Sequence, residues 1–164
     1  GAPWSWQRGK VYVSNDGGHT FTLSQGSVNA NMAWNSWWDT SMAVNPNAEG
    51  DIWLADGAAV YHSVDSGATW TKLNAFASAN GTMGATVLTL GKAQAGAPYS
   101  AAIYVEGTLN GVWGIYRSDD GGATWSRFND DAHQFGGSGV MAGDWNTYGR
   151  IYVNGAARGL IYSN

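Results

Sequence analysis

The sequence predicts an all-β chain built from β-propeller blades, about three blade equivalents in all, and three observations carry that prediction. One eight-residue stretch recurs three times, at residues 14–21 (SNDGGHTF), 63–70 (SVDSGATW) and 118–125 (SDDGGATW). The copies stand 49 and 55 residues apart, counted from Asp16 to Asp65 and from Asp65 to Asp120, a period that marks a repeat fold rather than one compact core. A second repeat runs in phase: residues 51–54 (DIWL), 103–105 (IYV) and 151–153 (IYV) each precede a hairpin position, after a gap opened by Gly57, Gly111 or Gly155. Strands in units of about fifty residues, with no helical periodicity between them, read as propeller blades. The units divide as roughly 1–50, 51–102 and 103–150, with 151–164 starting a fourth.

All three copies read SxDxGxT followed by an aromatic residue. An Asp at the mouth of a turn accepts hydrogen bonds from backbone N–H groups two or three residues on, and the Gly that follows takes the φ > 0 corner closed to β-branched residues. Tyr12 and Val13, Val60 and Tyr61, and Ile115 and Tyr116 run into the turns, while Thr20, Thr69 and Thr124 run out. Each copy is therefore a β-hairpin whose turn is locked by Asp16, Asp65 or Asp120, a structural role.

In chain order, residues 1–10 carry Trp4 and Trp6, two apart and so on one face of a strand, where packing between blades is favoured over ligand contact. Residues 10–23 are the first hairpin. Residues 24–41 break the pattern with Asn29, Asn31, Trp34, Asn35, Trp37, Trp38 and Asp39. Three indoles so close together in an irregular loop cannot all enter one core, so at least one is exposed. Indoles beside amides and a carboxylate suit a sugar: the ring covers the C–H face of a pyranose and the polar groups take its hydroxyls. The competing reading has Trp34 and one neighbour filling the gap between blades.

Strands follow at 42–46 and 50–54, parted by a turn with Asn45, Pro46, Asn47 and Gly50. The second hairpin occupies 58–73. Residues 75–97 hold a loop of small residues and a strand at 86–90, and the third unit takes 101–105 and 112–128. Residues 129–137 gather Asp130, Asp131 and His133, the densest cluster of ionisable groups. A carboxylate pair and a His could do acid and base work, but neighbours in an extended segment face opposite ways, so Asp130 and Asp131 cannot flank one bond. Anchoring the loop is the favoured role, with Asp130 and His133 as polar helpers at a binding site. Asp144, Trp145, Asn146 and Tyr148 form one more aromatic and polar cluster, at a rim position before the last strands. Asp119, Asp120 and Gly121 resemble the start of a calcium loop, yet the alternating oxygen ligands and distant Glu of such loops are missing, so no metal is expected at the repeated turns.

Only 12% of the 164 residues are charged, against about 25% in an ordinary soluble domain, and 24 Gly, 10 Trp and 8 Tyr stand out. The formal net charge is -4 with no basic run, which disfavours nucleic acid as a partner. No apolar stretch approaches the roughly 20 residues that cross a bilayer, and the start does not read as a signal peptide. Gly1 is expected to begin a mature chain or a cut one. The absence of Cys removes disulfide, thiol and Cys-zinc chemistry, and no cofactor is expected. Asn80, Gly81 and Thr82 make a weak glycosylation sequon.

The repeated turn is the Asp box of sialidases, sortilin-like receptors and several glycoside hydrolases. Its wider context is more specific: GIYRSDDGGATW at 114–125, RFNDDAHQFGG at 127–137, GDWNTYGRIYVNGAARGLIYSN at 143–164, EGDIWL at 49–54 and GKAQAGAPYSAAIY at 91–104. Together they strongly resemble the C-terminal part of glycoside hydrolase family 74, the xyloglucan-degrading enzymes, over residues 10–164. The resemblance implies a secreted enzyme of two seven-bladed propellers, with the substrate in a cleft between them. It also implies inversion by two Asp residues, one from each propeller, both upstream of the part this chain matches. No catalytic residue is therefore expected in this chain, and Asp16, Asp65 and Asp120 are occupied in their turns. Near the end, residues 154–159 (NGAARG) depart from the family's usual run, as do Tyr99, Ser100 and Ala101.

The expectation is a C-terminal portion of a xyloglucan-specific endo-β-1,4-glucanase, forming one wall of the glucan cleft. Its substrate-binding candidates are Trp37 and Trp38, then Trp34 and Trp145, with Asp130 and His133. Its partners would be xyloglucan and the remaining blades, from the same protein or another chain, because three blades leave an open arc with unpaired edges. The alternative is a non-catalytic Asp-box module that binds glycans or a protein partner.

Overall fold

The computed structural model describes residues 10–25, 41–134, 138–155 and 159–163, and all regular structure among them is β. Trp4, Trp6, Trp34, Trp37 and Trp38 lie outside the described residues. A short hairpin pairs β1 (Tyr12–Val13) with β2 (Thr22–Leu23). The first complete blade is a four-stranded antiparallel meander of β3 (Ser41–Val44), β4 (Ile52–Ala55), β5 (Val60–Ser63) and β6 (Thr71–Leu73). The second repeats it with β7 (Ala85–Lys92), β8 (Ala101–Leu109), β9 (Val112–Ser118) and β10 (Ser126–Arg127). The last sheet has three strands, β11 (Ser138–Gly143), β12 (Ile151–Gly155) and β13 (Gly159–Tyr162).

Two elements differ from the expectation. β8 extends to Leu109 because Asn110 and Gly111, at φ 51° and 79°, make a two-residue hairpin loop that pairs Leu109 with Val112. β11 has no counterpart in the sequence reading. Its SGVMAG run carries one β-branched residue and four small ones, so it becomes a strand only because β7 and β12 stand on either side of it.

The central strands are apolar on both faces because each blade is covered twice. Trp53 and Ala55 turn toward the next blade, where they pack with Leu88, Leu90, Ile103 and Val105, while Leu54 turns back to Tyr61, Trp70 and Val11. One blade on, Ile103 and Val105 join that first interface, and Ala102 and Tyr104 face Met141, Ile151 and Val153 of the last sheet. The outward faces at the two flanks stay open: Tyr12 and Phe21 are exposed on one side, Val140, Leu160 and Tyr162 on the other.

The innermost strands β3, β7 and β11 stand side by side. Ser41 Oγ donates to Leu88 O (2.8 Å) and accepts from Leu88 N (3.1 Å), and Gly143 N donates to Thr89 Oγ1 (3.1 Å). The approach at Gly143 leaves no room for a side chain, since a Cβ there would sit 2.2 Å from Leu90 O.

The three repeated turns share one hydrogen-bond pattern. Ser14, Ser63 and Ser118 each donate Oγ–H to the box Asp at 2.8 Å and accept from the backbone N of Gly18, Gly67 or Gly122 at 2.8–2.9 Å. The same carboxylate oxygen accepts from the backbone N of Thr20, Thr69 or Thr124 at 2.8–2.9 Å, and its partner oxygen takes the Thr hydroxyl at 2.5–2.6 Å. The backbone donor common to all three boxes stands four residues on, and in the first box His19 N, three residues on as expected, also donates to Asp16 Oδ1 (3.0 Å); two successive φ > 0 residues shape each corner. Those hydrogen bonds, the Thr hydroxyl first, hold all three carboxyls below the usual range, Asp16 to about 2.

Candidate functional site

Strand register sorts the loops onto the two ends of the blades. The Asp boxes share one end with the loops at 45–51, 93–100 and 144–150; the tight turns within blades and the linkers between blades share the other. The sequence-predicted site residues divide between these ends. Asp130 and His133 lie on the linker from β10 to β11, at the linker end, while Trp145 lies on the β11–β12 loop at the Asp-box end.

The linker at 128–134 is built from the strands upward. Phe128 N donates to Ile115 O (2.7 Å), continuing the β9–β10 pairing by one residue. Asn129 then bridges, its Oδ1 accepting from Ile115 N (2.8 Å) and its Nδ2 donating to His133 O (3.0 Å). Arg127 Nη1 meets Asp131 Oδ1 at 2.7 Å and Nη2 donates to Trp113 O at 3.4 Å. Gly114 makes room for this brace, since a Cβ there would come within 2.9 Å of Arg127 Nε and Asn129 Oδ1. Asp130 Oδ1 accepts from His133 N (2.9 Å) and pairs with His133 Nδ1 (2.6 Å).

Asp130 and Asp131 therefore take separate partners, and Asp130 is joined to His133. The His133 ring donor holds the Asp130 carboxyl below its ordinary range. Both side chains are about two-thirds exposed. An ionised, accessible carboxylate beside an imidazole accepts hydrogen bonds from hydroxyls; it is not a proton donor at neutral pH. Sequence reasoning passed over Asn129 and Arg127. Their signal was phase: Gln25, Asn74 and Asn129 occupy the same place after each box.

At the Asp-box end, Asp144 Oδ1 accepts from Asn146 N (2.6 Å) and Thr147 N (3.1 Å), which presents Trp145 at the loop tip, 37% exposed. Tyr148 OH donates to Asp119 Oδ2 (2.9 Å), Arg117 Nε donates to the same oxygen (3.1 Å), and the Arg117 guanidinium lies 4.9 Å from the Tyr148 ring centre. Between the complete blades, Asp51 meets His62 Nε2 at 2.8 Å and accepts from Asn45 Nδ2 (2.9 Å) and Tyr99 OH, and Tyr99 OH accepts from Trp53 Nε1 (2.8 Å). Burial and then the bond to Asp51 push the Tyr99 hydroxyl up. The pairings of Tyr99 with Asp51 and Trp53, and of Tyr148 with Asp119, were not legible in the sequence, because these partners lie 29 to 48 residues apart. Among the described residues no group of three His, Asp or Glu is arranged to hold a metal ion.

Comparison with known proteins agrees with this architecture. The BNR/Asp-box repeat family matches residues 116–127, the third box and its flanking strands. A protein of Paenibacillus sp. named xyloglucanase is 36% identical over 95% of this chain and 15% of its own length. A probable oligoxyloglucan-reducing end-specific xyloglucanase of Neosartorya fischeri is 35% identical over 98% of this chain and 19% of its own length. The crystal structure of the Niastella koreensis GH74 enzyme superposes with a TM-score of 0.78 at 35% identity, covering 94% of this chain and 21% of that one. The resemblance to glycoside hydrolase family 74 thus holds over nearly the whole chain, and the chain spans about a fifth or less of each of these relatives.

Proposed function

We propose that this chain is a C-terminal stretch of blades from a secreted, inverting xyloglucan endo-β-1,4-glucanase, and that its linker end builds one wall of the glucan cleft. The observation that carries the reading is the similarity to xyloglucanases over 95% or more of the chain. The two open apolar flanks support it, because further blades of the same polypeptide are the natural cover for sheet faces that expose Phe21, Leu160 and Tyr162. The acid and base come from elsewhere in that polypeptide. In support, each described aspartate is held by a hydrogen bond or ion pair: the box residues by their turns, Asp51 and Asp56 by buried networks, and Asp131 by Arg127.

The wall's chemistry follows from the residues. Asp130 and His133 offer an acceptor and a ring nitrogen to sugar hydroxyls. Trp34, Trp37 and Trp38 follow the first Asp box in sequence as residues 128–134 follow the third, and are assigned the stacking role. The test is steady-state hydrolysis of xyloglucan by the full-length protein with Trp37→Ala and Trp38→Ala together. KM is expected to rise roughly tenfold for two lost stacking platforms, with a smaller rise for Asp130→Ala. Unchanged KM in the double variant, or equal rates on unbranched β-glucan, would overturn the assignment.

A further inference from the structure

A cavity lies at the Asp-box end of the second complete blade, away from the linker end. It holds about 320 Å³ between residues 94–98 and the wall formed by Arg117, Asp119, Thr124 and Ser126, the low end of the ~300–1,000 Å³ typical of small-molecule sites. We propose that it is a second glucan-binding site, taking one or two pyranose units of the polymer outside the catalytic cleft.

The lining selects the ligand class. Asp120 is consumed by its box, with both oxygens accepting from Thr124. Asp119 Oδ2 is shared by Arg117 Nε and Tyr148 OH, so the Arg117 charge is already balanced and no spare cation is left to hold an anion. Apolar lining is limited to Ala95, Ala97 and Pro98, too little for an apolar guest. What remains uncommitted is the pair of Arg117 Nη donors, the Ser126 hydroxyl and the Gln94 amide, a mixed set of donors and acceptors that a neutral polyhydroxylated ring can satisfy. Asp119 Oδ1 is buried without a hydrogen-bond donor, and Asp119 is one of the residues that line the site. The loop that Tyr148 ties to this wall also carries the exposed indole of Trp145, a platform at the same end of the blades for the continuing chain.

The identity of the polymer rests on the proposed function; the site itself does not. In the full-length protein, Ala97→Trp fills the cavity from the loop side, and Arg117→Met keeps the packing on Tyr148 while removing the donors. Retention by polymeric xyloglucan in affinity electrophoresis is expected to fall about fivefold in each, the loss of one or two hydrogen bonds, while turnover of a short soluble xyloglucan oligosaccharide stays at the wild-type rate. Wild-type retention in the folded Ala97→Trp protein overturns the second site. Should Arg117→Met fail to fold, Ala97→Trp decides alone, with Ser126→Ala, expected to lower retention about twofold to threefold, as the milder check. Absence of oligosaccharide turnover in the unmodified protein would instead count against the proposed function, so the two failures are told apart.

Discussion

Replacing Gly143 by Ala tests how the blades are held together. The added methyl would stand 2.2 Å from Leu90 O, 2.7 Å from Leu90 C and 2.9 Å from Gly91 Cα, all well inside the ~3.5–4.0 Å of comfortable non-bonded contact. Every one of those atoms is backbone, so no side chain can swing aside, and β7 and β11 must separate by roughly 1 Å. Two hydrogen bonds span that seam, Gly143 N to Thr89 Oγ1 (3.1 Å) and Lys92 N to Asp144 O (2.9 Å). Behind them Met141, Ile151 and Val153 pack on Val87 and Tyr104. Overpacking costs about 1–3 kcal/mol and each weakened hydrogen bond about 1 kcal/mol, so the total is about 3–5 kcal/mol. For a cooperative unit of this size that lowers Tm by on the order of 10 °C. Scanning calorimetry of the full-length protein measures it, with Gly139→Ala as control, because a Cβ on that neighbouring residue of the same strand meets nothing within 4 Å. A Gly143→Ala protein melting within a degree of wild type, or an equal loss in Gly139→Ala, would refute the close-contact argument.

Two more outcomes follow from the polar networks. Because the folded Asp16, Asp65 and Asp120 carboxyls lie below the unfolded value of 3.8, the unfolded chain binds more protons in acid. The boxes' contribution is therefore complete above about pH 4 and fades as pH falls toward 2. Melting temperature followed down through that window should drop, and Thr69→Val with Thr124→Val should move the drop to higher pH; an unmoved acid midpoint would contradict the hydroxyl's leading role. Separately, Tyr99→Phe strands the indole N–H of fully buried Trp53 and removes one donor from Asp51, a cost of about 1–3 kcal/mol readable as a lower denaturant midpoint, whereas a midpoint equal to wild type would mean that another acceptor takes the indole.

The local parts of this protein were legible in its sequence. An Asp box closes within seven residues, Ser14 to Thr20 for instance, so its partners are fixed by spacing alone. Two-sided burial likewise shows in runs such as AAIYV, since a strand covered on both faces has no polar alternation. The site was legible only as types of residue. The Asp130–His133 pair could be read from their three-residue separation, but nothing local states that Trp145 emerges at the opposite end from them.

Turn chemistry therefore determined the Asp-box hairpins and the carboxylates that lock them. Tertiary structure alone decided that SGVMAG is a strand, that Gly143 lies against Leu90 O, and that Asp119 is shared by Arg117 and a tyrosine 29 residues away. The reason is physical: a turn's energy resides in bonds a few residues long, whereas these positions depend on where one blade comes to rest against the next.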